Sequence, residues 1–143
     1  INPRPLDIID DYKFTKTAKL AHHYAGVVYL NKRNLAEAIE HLQDFDARDR
    51  LVAPMALGAL GDCYMELNKP EKAAGYYADA AKKGNNEFSS PMFLMKAGWT
   101  YEIMGDYSNA IKIYKEIKEK YPTSNEGREM DKYIAKAEGL LQK

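Results

Sequence analysis

The 143 residues, 45% of them hydrophobic, suit one domain able to bury a continuous core. Acidic and basic residues balance at 21 each, with nine basic and eleven acidic up to Glu71 and twelve and ten after it, which excludes the basic stripe that a nucleic-acid partner requires. Cys63 is the single cysteine, excluding an intrachain disulfide or a cysteine zinc cage, and no run approaches the roughly 18 apolar residues of a membrane-spanning helix.

The first fourteen residues open with Asn2-Pro3-Arg4-Pro5, which has neither the charged start nor the apolar run of a secretory signal. Ile8, Tyr12 and Thr15 repeat the spacing of Ile117, Tyr121 and Ser124. Residues 1–14 therefore read as a linker or the tail of a preceding helix, with any signal or membrane anchor lying upstream.

Helices are then expected near 15–31, 35–46, 53–67, 70–83, 91–104 and 107–120. Polar turns separate them: Asn31-Lys32-Arg33-Asn34, Asn68-Lys69-Pro70 and Gly105-Asp106. Pro54 and Pro91 stand where a first helical turn tolerates proline, and Ser90 is placed to cap the helix that Pro91 opens. After Pro122, Thr123 or Ser124 can cap a last helix with Met130, Tyr133, Ile134, Ala137 and Leu141 on one side. Lys112, Lys115, Lys118 and Lys120 alternate with Glu116 and Glu119 and read as a solvated helix face.

These elements repeat. Gly26 and Tyr29, Gly61 and Tyr64, Gly98 and Tyr101 recur at intervals of 35 and 37 residues. Ala38, Ala73 and Ala110 follow the glycines by twelve residues, and Leu42, Tyr77 and Tyr114 follow the alanines by four. Glycine and alanine let two helices approach, and the large residues fill the space beside that contact.

Over roughly 19–122 this pattern resembles the tetratricopeptide repeat. The resemblance implies an all-α fold: a right-handed superhelix of three helix-turn-helix repeats, about 15–48, 53–84 and 91–122, closed by a C-terminal capping helix over 123–143. His22, Leu57 and Leu94 replace the bulky aromatic expected early in each unit. The late small alanine is present only as Ala80, with Phe45 and Ile117 in the other units.

The family's concave groove is lined mainly by the first helix of each unit. Carried onto this chain, that surface comprises Leu20, His23, Val27, Leu30 and Asn31, then Met55, Gly58, Asp62, Met65 and Glu66, then Met92, Met95, Trp99, Glu102 and Ile103. It holds no lysine or arginine, and its acids would repel a peptide carboxylate, which argues against the cochaperone type that clamps a C-terminus. Met55, Met65, Met92, Met95 and Trp99 suit an apolar segment or amphipathic helix with Trp99 as anchor. The competing reading is that the strip is core, or is covered by the chain's own termini or by a second copy.

Nothing in the pattern supplies an enzyme, metal or cofactor site. His22 and His23 are adjacent and point about 100 degrees apart on a helix, His41 lacks an acidic and histidine pair at metal spacing, and a zinc site needs three or four convergent ligands. Cys63 has no base placed beside it in the sequence, so it reads as a buried filler. Gly58 and Gly61 lie within a helix, not in a phosphate-binding loop.

The expected role is a non-catalytic scaffold for a protein or peptide partner. From Tyr121 onward the chain resembles bacterial envelope members of the family, including the translocon-associated type. That implies a periplasm-facing protein anchored upstream, in a membrane-associated assembly or secretion complex. A cytoplasmic adaptor without a carboxylate clamp and an accessory domain of an enzyme are the alternatives.

Overall fold

The computed structural model describes Arg4, Leu6 and residues 15–143; apart from those two residues, the expectation for 1–14 lies outside it. Among the described residues there are seven helices and no strand. They are α1 Lys16–Asn31, α2 Leu35–Gln43, α3 Val52–Glu66, α4 Pro70–Gly84, α5 Ser89–Ile103, α6 Tyr107–Lys120 and α7 Asn125–Leu141. The first six pair as hairpins that stack into a helical-repeat superhelix, each packing on the next, and α7 closes the stack against α6 and α5.

The spacing read from the sequence is a packing rule. A Cβ at Gly26 would lie 2.5 Å from Leu42 Cγ, one at Gly61 2.5 Å from Tyr77 Cε1, and one at Gly98 2.4 Å from Tyr114 Cε1. In every hairpin the glycine of the first helix thus receives the large residue of the second, while Ala38, Ala73 and Ala110 are wholly buried beside it. The recurring tyrosines flank this contact: Tyr29 stacks on His41 and Tyr64 on Tyr76.

The turns repeat as faithfully. Arg33, Asn68 and Gly105 adopt positive φ of 60°, 55° and 74°. The next amide in each case, from Asn34, Lys69 or Asp106, donates back to the carbonyl of Tyr29, Tyr64 or Tyr101. This six-to-one bond closes the carbonyls left over at a helix end.

Helix starts follow two patterns. Thr15, Asp106 and Ser124 cap directly, their side-chain oxygens accepting from the amides of Ala18, Asn109 and Gly127. At α3 and α5 the acceptor stands further upstream. Asp49 Oδ1 takes the amides of Leu51 and Val52, and Asn86 Oδ1 those of Phe88 and Ser89. Ser90 is therefore not the cap expected from the sequence. It sits inside α5, accepting from the Asn86 amide and donating to the Ala81 carbonyl at 2.7 Å, so that it ties α5 to the end of α4. Pro54 and Pro91 fall at the third helical position, where the missing N–H had no intrahelical acceptor to lose.

A second departure concerns α2, which stops at Gln43 and not at 46. Asp44 leaves the helix because its carboxylate is drawn to Lys19 and His22 on α1. Phe45 instead packs on a first core cluster of Ala38, Leu42, Leu60 and Cys63. A larger cluster runs from Ala73 and Tyr77 through Phe93, Met95 and Tyr114 to Met130 and Ala137.

Candidate binding groove

The sequence places groove residues on α1, α3 and α5, and the fold adds a fourth wall. Just as α3 packs on both α1 and α2, α7 packs on both α5 and α6, so the closing helix occupies the place of the next unit's first helix. Between α5 and α7 lies a cavity of about 300 Å³. Met92, Met95, Lys96 and Trp99 line it from one side, and Asn125, Glu126, Glu129 and Tyr133 from the other.

Trp99 is 45% exposed and Met92 37%, whereas Met95 is 5% exposed and belongs to the core. Met95 was expected to present itself to a partner; it forms the floor of the cavity. Its neighbours explain this, since it joins Leu94, Tyr114 and Met130 in the larger cluster. Tyr133, placed by the sequence only on the inner side of a capping helix, leans on Tyr114 and closes the cavity from α7.

A second depression, of about 480 Å³, is lined by Leu30, Asn31 and Arg33 beside Asp62, Met65 and Glu66. Met65 is half-buried and meets the Thr100 hydroxyl at 3.8 Å. Leu20 and Met55 are exposed and His23 and Val27 half-buried, and none of the four lines either depression. His23 Nδ1 is buried without a partner, and burial lowers the pKa of that imidazole. Of the expected groove residues, Leu30, Asn31, Asp62, Met65 and Glu66 line one depression and Met92, Met95 and Trp99 the other, whereas Leu20, His23, Val27, Met55, Gly58, Glu102 and Ile103 line neither.

The groove acids are less available than their sequence positions suggest. Asp62 accepts from the Tyr77 hydroxyl at 2.6 Å and from Lys96 Nζ at 2.8 Å. Glu102 accepts from the Tyr114 hydroxyl at 2.8 Å and from Lys136 Nζ at 3.1 Å, and Glu66 pairs with Arg33 at 2.6 Å. Burial first, and then the accepting carboxylate, pushes both tyrosine hydroxyls far above their ordinary pKa, so they serve as fixed donors. The lysine face of α6 is exposed, with Lys120 paired to Glu116 at 2.7 Å and Lys118 reaching the exposed Asp131 of α7 at 2.5 Å.

Cys63 is fully buried, and burial, reinforced by Asp62, pushes its thiol up to about 11. A thiol so protonated at neutral pH is a poor nucleophile. Among the described residues no group of three or more histidine, cysteine or acidic side chains could hold a metal ion, and no helix is long and apolar enough to cross a membrane. Nothing in the sequence pointed to the meeting of His22, on α1, with His41, on α2, whose Nδ1 atoms lie 2.9 Å apart.

Two family models match the chain, one over residues 25–88 and the other over residues 93–124, and both are described as tetratricopeptide repeat. No curated protein matches it.

Proposed function

The chain is a tetratricopeptide-repeat protein, and from that premise we propose that it is a non-catalytic scaffold that holds a protein partner by seating an apolar side chain of a peptide or helix between α5 and α7. Repeats of this kind mediate protein–protein interaction, so the coarse role follows from the family. The observation that carries it is the half-exposed Trp99, with the exposed Met92, over a cavity floored by Met95. A large aromatic left in water beside pliable thioethers is the composition of an adaptable apolar site. The charged groups lining the cavity are Lys96, paired with Asp62, Glu129, paired with Lys132, and Glu126, so the apolar side chains lead recognition there.

Membership of a membrane-associated assembly or secretion complex rests on the Tyr121-Pro122-Thr123-Ser124 ending. Those residues also have a structural use. Ser124 caps α7, and Gly127 lies so close to the Tyr121 carbonyl that a Cβ would stand 1.9 Å from its oxygen.

A photoreactive residue at Met92 in the full-length chain, with Lys112 on α6 as control, tests the site in cells of the source organism. Capture of one distinct protein from Met92 alone, lost when Trp99→Ala is added to a chain that keeps its helical circular dichroism, is the expected result. Capture that is equal from Lys112, or indifferent to Trp99→Ala, sinks the reading. Because Trp99 is the chain's one tryptophan, its emission reports occupancy of the cavity directly once the partner is in hand.

A further inference from the structure

We propose that His22, His41 and Asp44 form an acid-released clasp that holds α2 against α1, so that acidification loosens the first hairpin before the rest of the stack. His22 Nδ1 lies 2.9 Å from His41 Nδ1, and His22 Nε2 lies 3.0 Å from Asp44 Oδ2. The three groups do not converge on one point, since Asp44 and His41 occupy opposite nitrogens of the His22 ring. They form a chain of hydrogen bonds, not a metal site.

The chain fixes the tautomers. A carboxylate only accepts, so His22 donates from Nε2 to Asp44. Neutral His22 then has a bare Nδ1, which accepts from His41 Nδ1–H. A proton added to His41 at its Nε2 leaves that bond in place. A first proton on His22 at Nδ1 is likewise accommodated when His41 carries its own at Nε2 and accepts, so it is the second proton on the pair that sets N–H against N–H and opens the ring contact. Tyr29 stacks on the far side of His41 at 5.3 Å between centroids and 6° between planes, so the His41 ring is held in position and cannot readily turn aside.

The charged groups acting on His22 are Lys19 on its own helix, His41 and Glu40 on α2, and Asp44 in the turn that follows. Burial lowers the His22 pKa below 6.5 and outweighs the pull of Asp44, whose carboxylate is shared with Lys19. An imidazole held neutral by the fold contributes stability that is full above 6.5 and is lost as the pH falls from there through the lower folded value. The element released carries groove residues, since Leu20, His23, Val27 and Leu30 all lie on α1.

Hydrogen exchange on the full chain, corrected for intrinsic rates, tests the clasp between about pH 7.5 and about pH 5, which brackets the ordinary imidazole value. Exchange in residues 16–43 should accelerate about tenfold relative to residues 89–141, the order expected for one lost side-chain hydrogen bond. His41→Gln should abolish most of that difference, because an amide can accept from or donate to His22 in either protonation state. His23, whose burial acts in the same direction, is present in both proteins and cancels. Equal acceleration in the two regions, or an unchanged acid response in His41→Gln, overturns the proposal. Should the variant fail to fold, the NMR titration of His22 in the unaltered chain decides. A neutral Nε2–H tautomer titrating below 6.5 supports the clasp, and titration at or above that value refutes it.

Discussion

Val28, Cys63 and Thr100 occupy the same place in the three repeats, yet Val28 is 47% exposed while Cys63 and Thr100 are buried. Tyr24 is likewise exposed where its counterparts Ala59 and Lys96 are half-buried. The glycines, alanines and turn residues around them superpose in register, so local sequence does not create the difference. The neighbour does: α3 has α1 and α2 against it and α5 has α4, whereas no helix among the described residues packs on that side of α1. Stacked repeats are stabilised by what adjoins them. The first hairpin compensates with the polar contacts of His22, His41, Asp44 and Lys19, while the third relies on Tyr114, Ile117 and the docked α7.

The largest effect should come from the end where packing is tightest. At Gly127 a Cβ would stand 1.9 Å from the Tyr121 carbonyl oxygen, and backbone cannot step aside as a side-chain tip can. Gly127→Ala should cost about 3 kcal/mol in urea denaturation and shift the emission of Trp99 as α7 leaves the cavity wall. A cost below about 1 kcal/mol, the level of a volume-conserving swap, would mean that α7 docks loosely and that the cavity is not a fixed feature.

A paired substitution compares the hairpins themselves. In the third, Gly98→Ala drives a methyl into the buried Tyr114 ring, whose hydroxyl is anchored on Glu102. In the first, Gly26→Ala meets Leu42, which is equally buried but lacks the hydrogen bond that anchors Tyr114, and the Ala38 carbonyl at 3.2 Å. Alanine gains about 1 kcal/mol of helix propensity at both. Net losses should therefore be about 2 kcal/mol at Gly98 and about 1 kcal/mol or less at Gly26. Equal losses would show the first hairpin to be packed as rigidly as the third.

The repeat was legible because each of its marks has a local cause. Gly26, Gly61 and Gly98 mark close approach, Leu42, Tyr77 and Tyr114 fill it, and Arg33, Asn68 and Gly105 turn the chain. The groove was legible only in part. Met92, Trp99 and Met55 do face outward, but exposure at Met95 depends on Met130 and Tyr114, which are distant in sequence. The wall supplied by Tyr133 and Glu126 was hidden for the same reason, as was the pairing of Asp62 with Lys96. Ser90 misled because a serine before a proline fits a cap equally well one turn earlier, where Asn86 does the capping. The encounter of His22 with His41 spans two helices and has no periodic signal at all.

The smallest effect tests the comparison most directly. Replacing Cys63 by serine buries a hydroxyl where a thiol had packed among Leu42, Leu60 and Ala38, and should cost about 1–3 kcal/mol. Val28→Ser, at the equivalent place on α1, changes a side chain that is half in water. Serine and valine have similar helix propensities, so the change should stay within about 0.5 kcal/mol. The two substitutions remove different side chains, so the gap between their denaturation midpoints reports the buried place on α3 against the half-exposed one on α1. Should Val28→Ser cost as much as Cys63→Ser, the outer face of α1 is covered in solution.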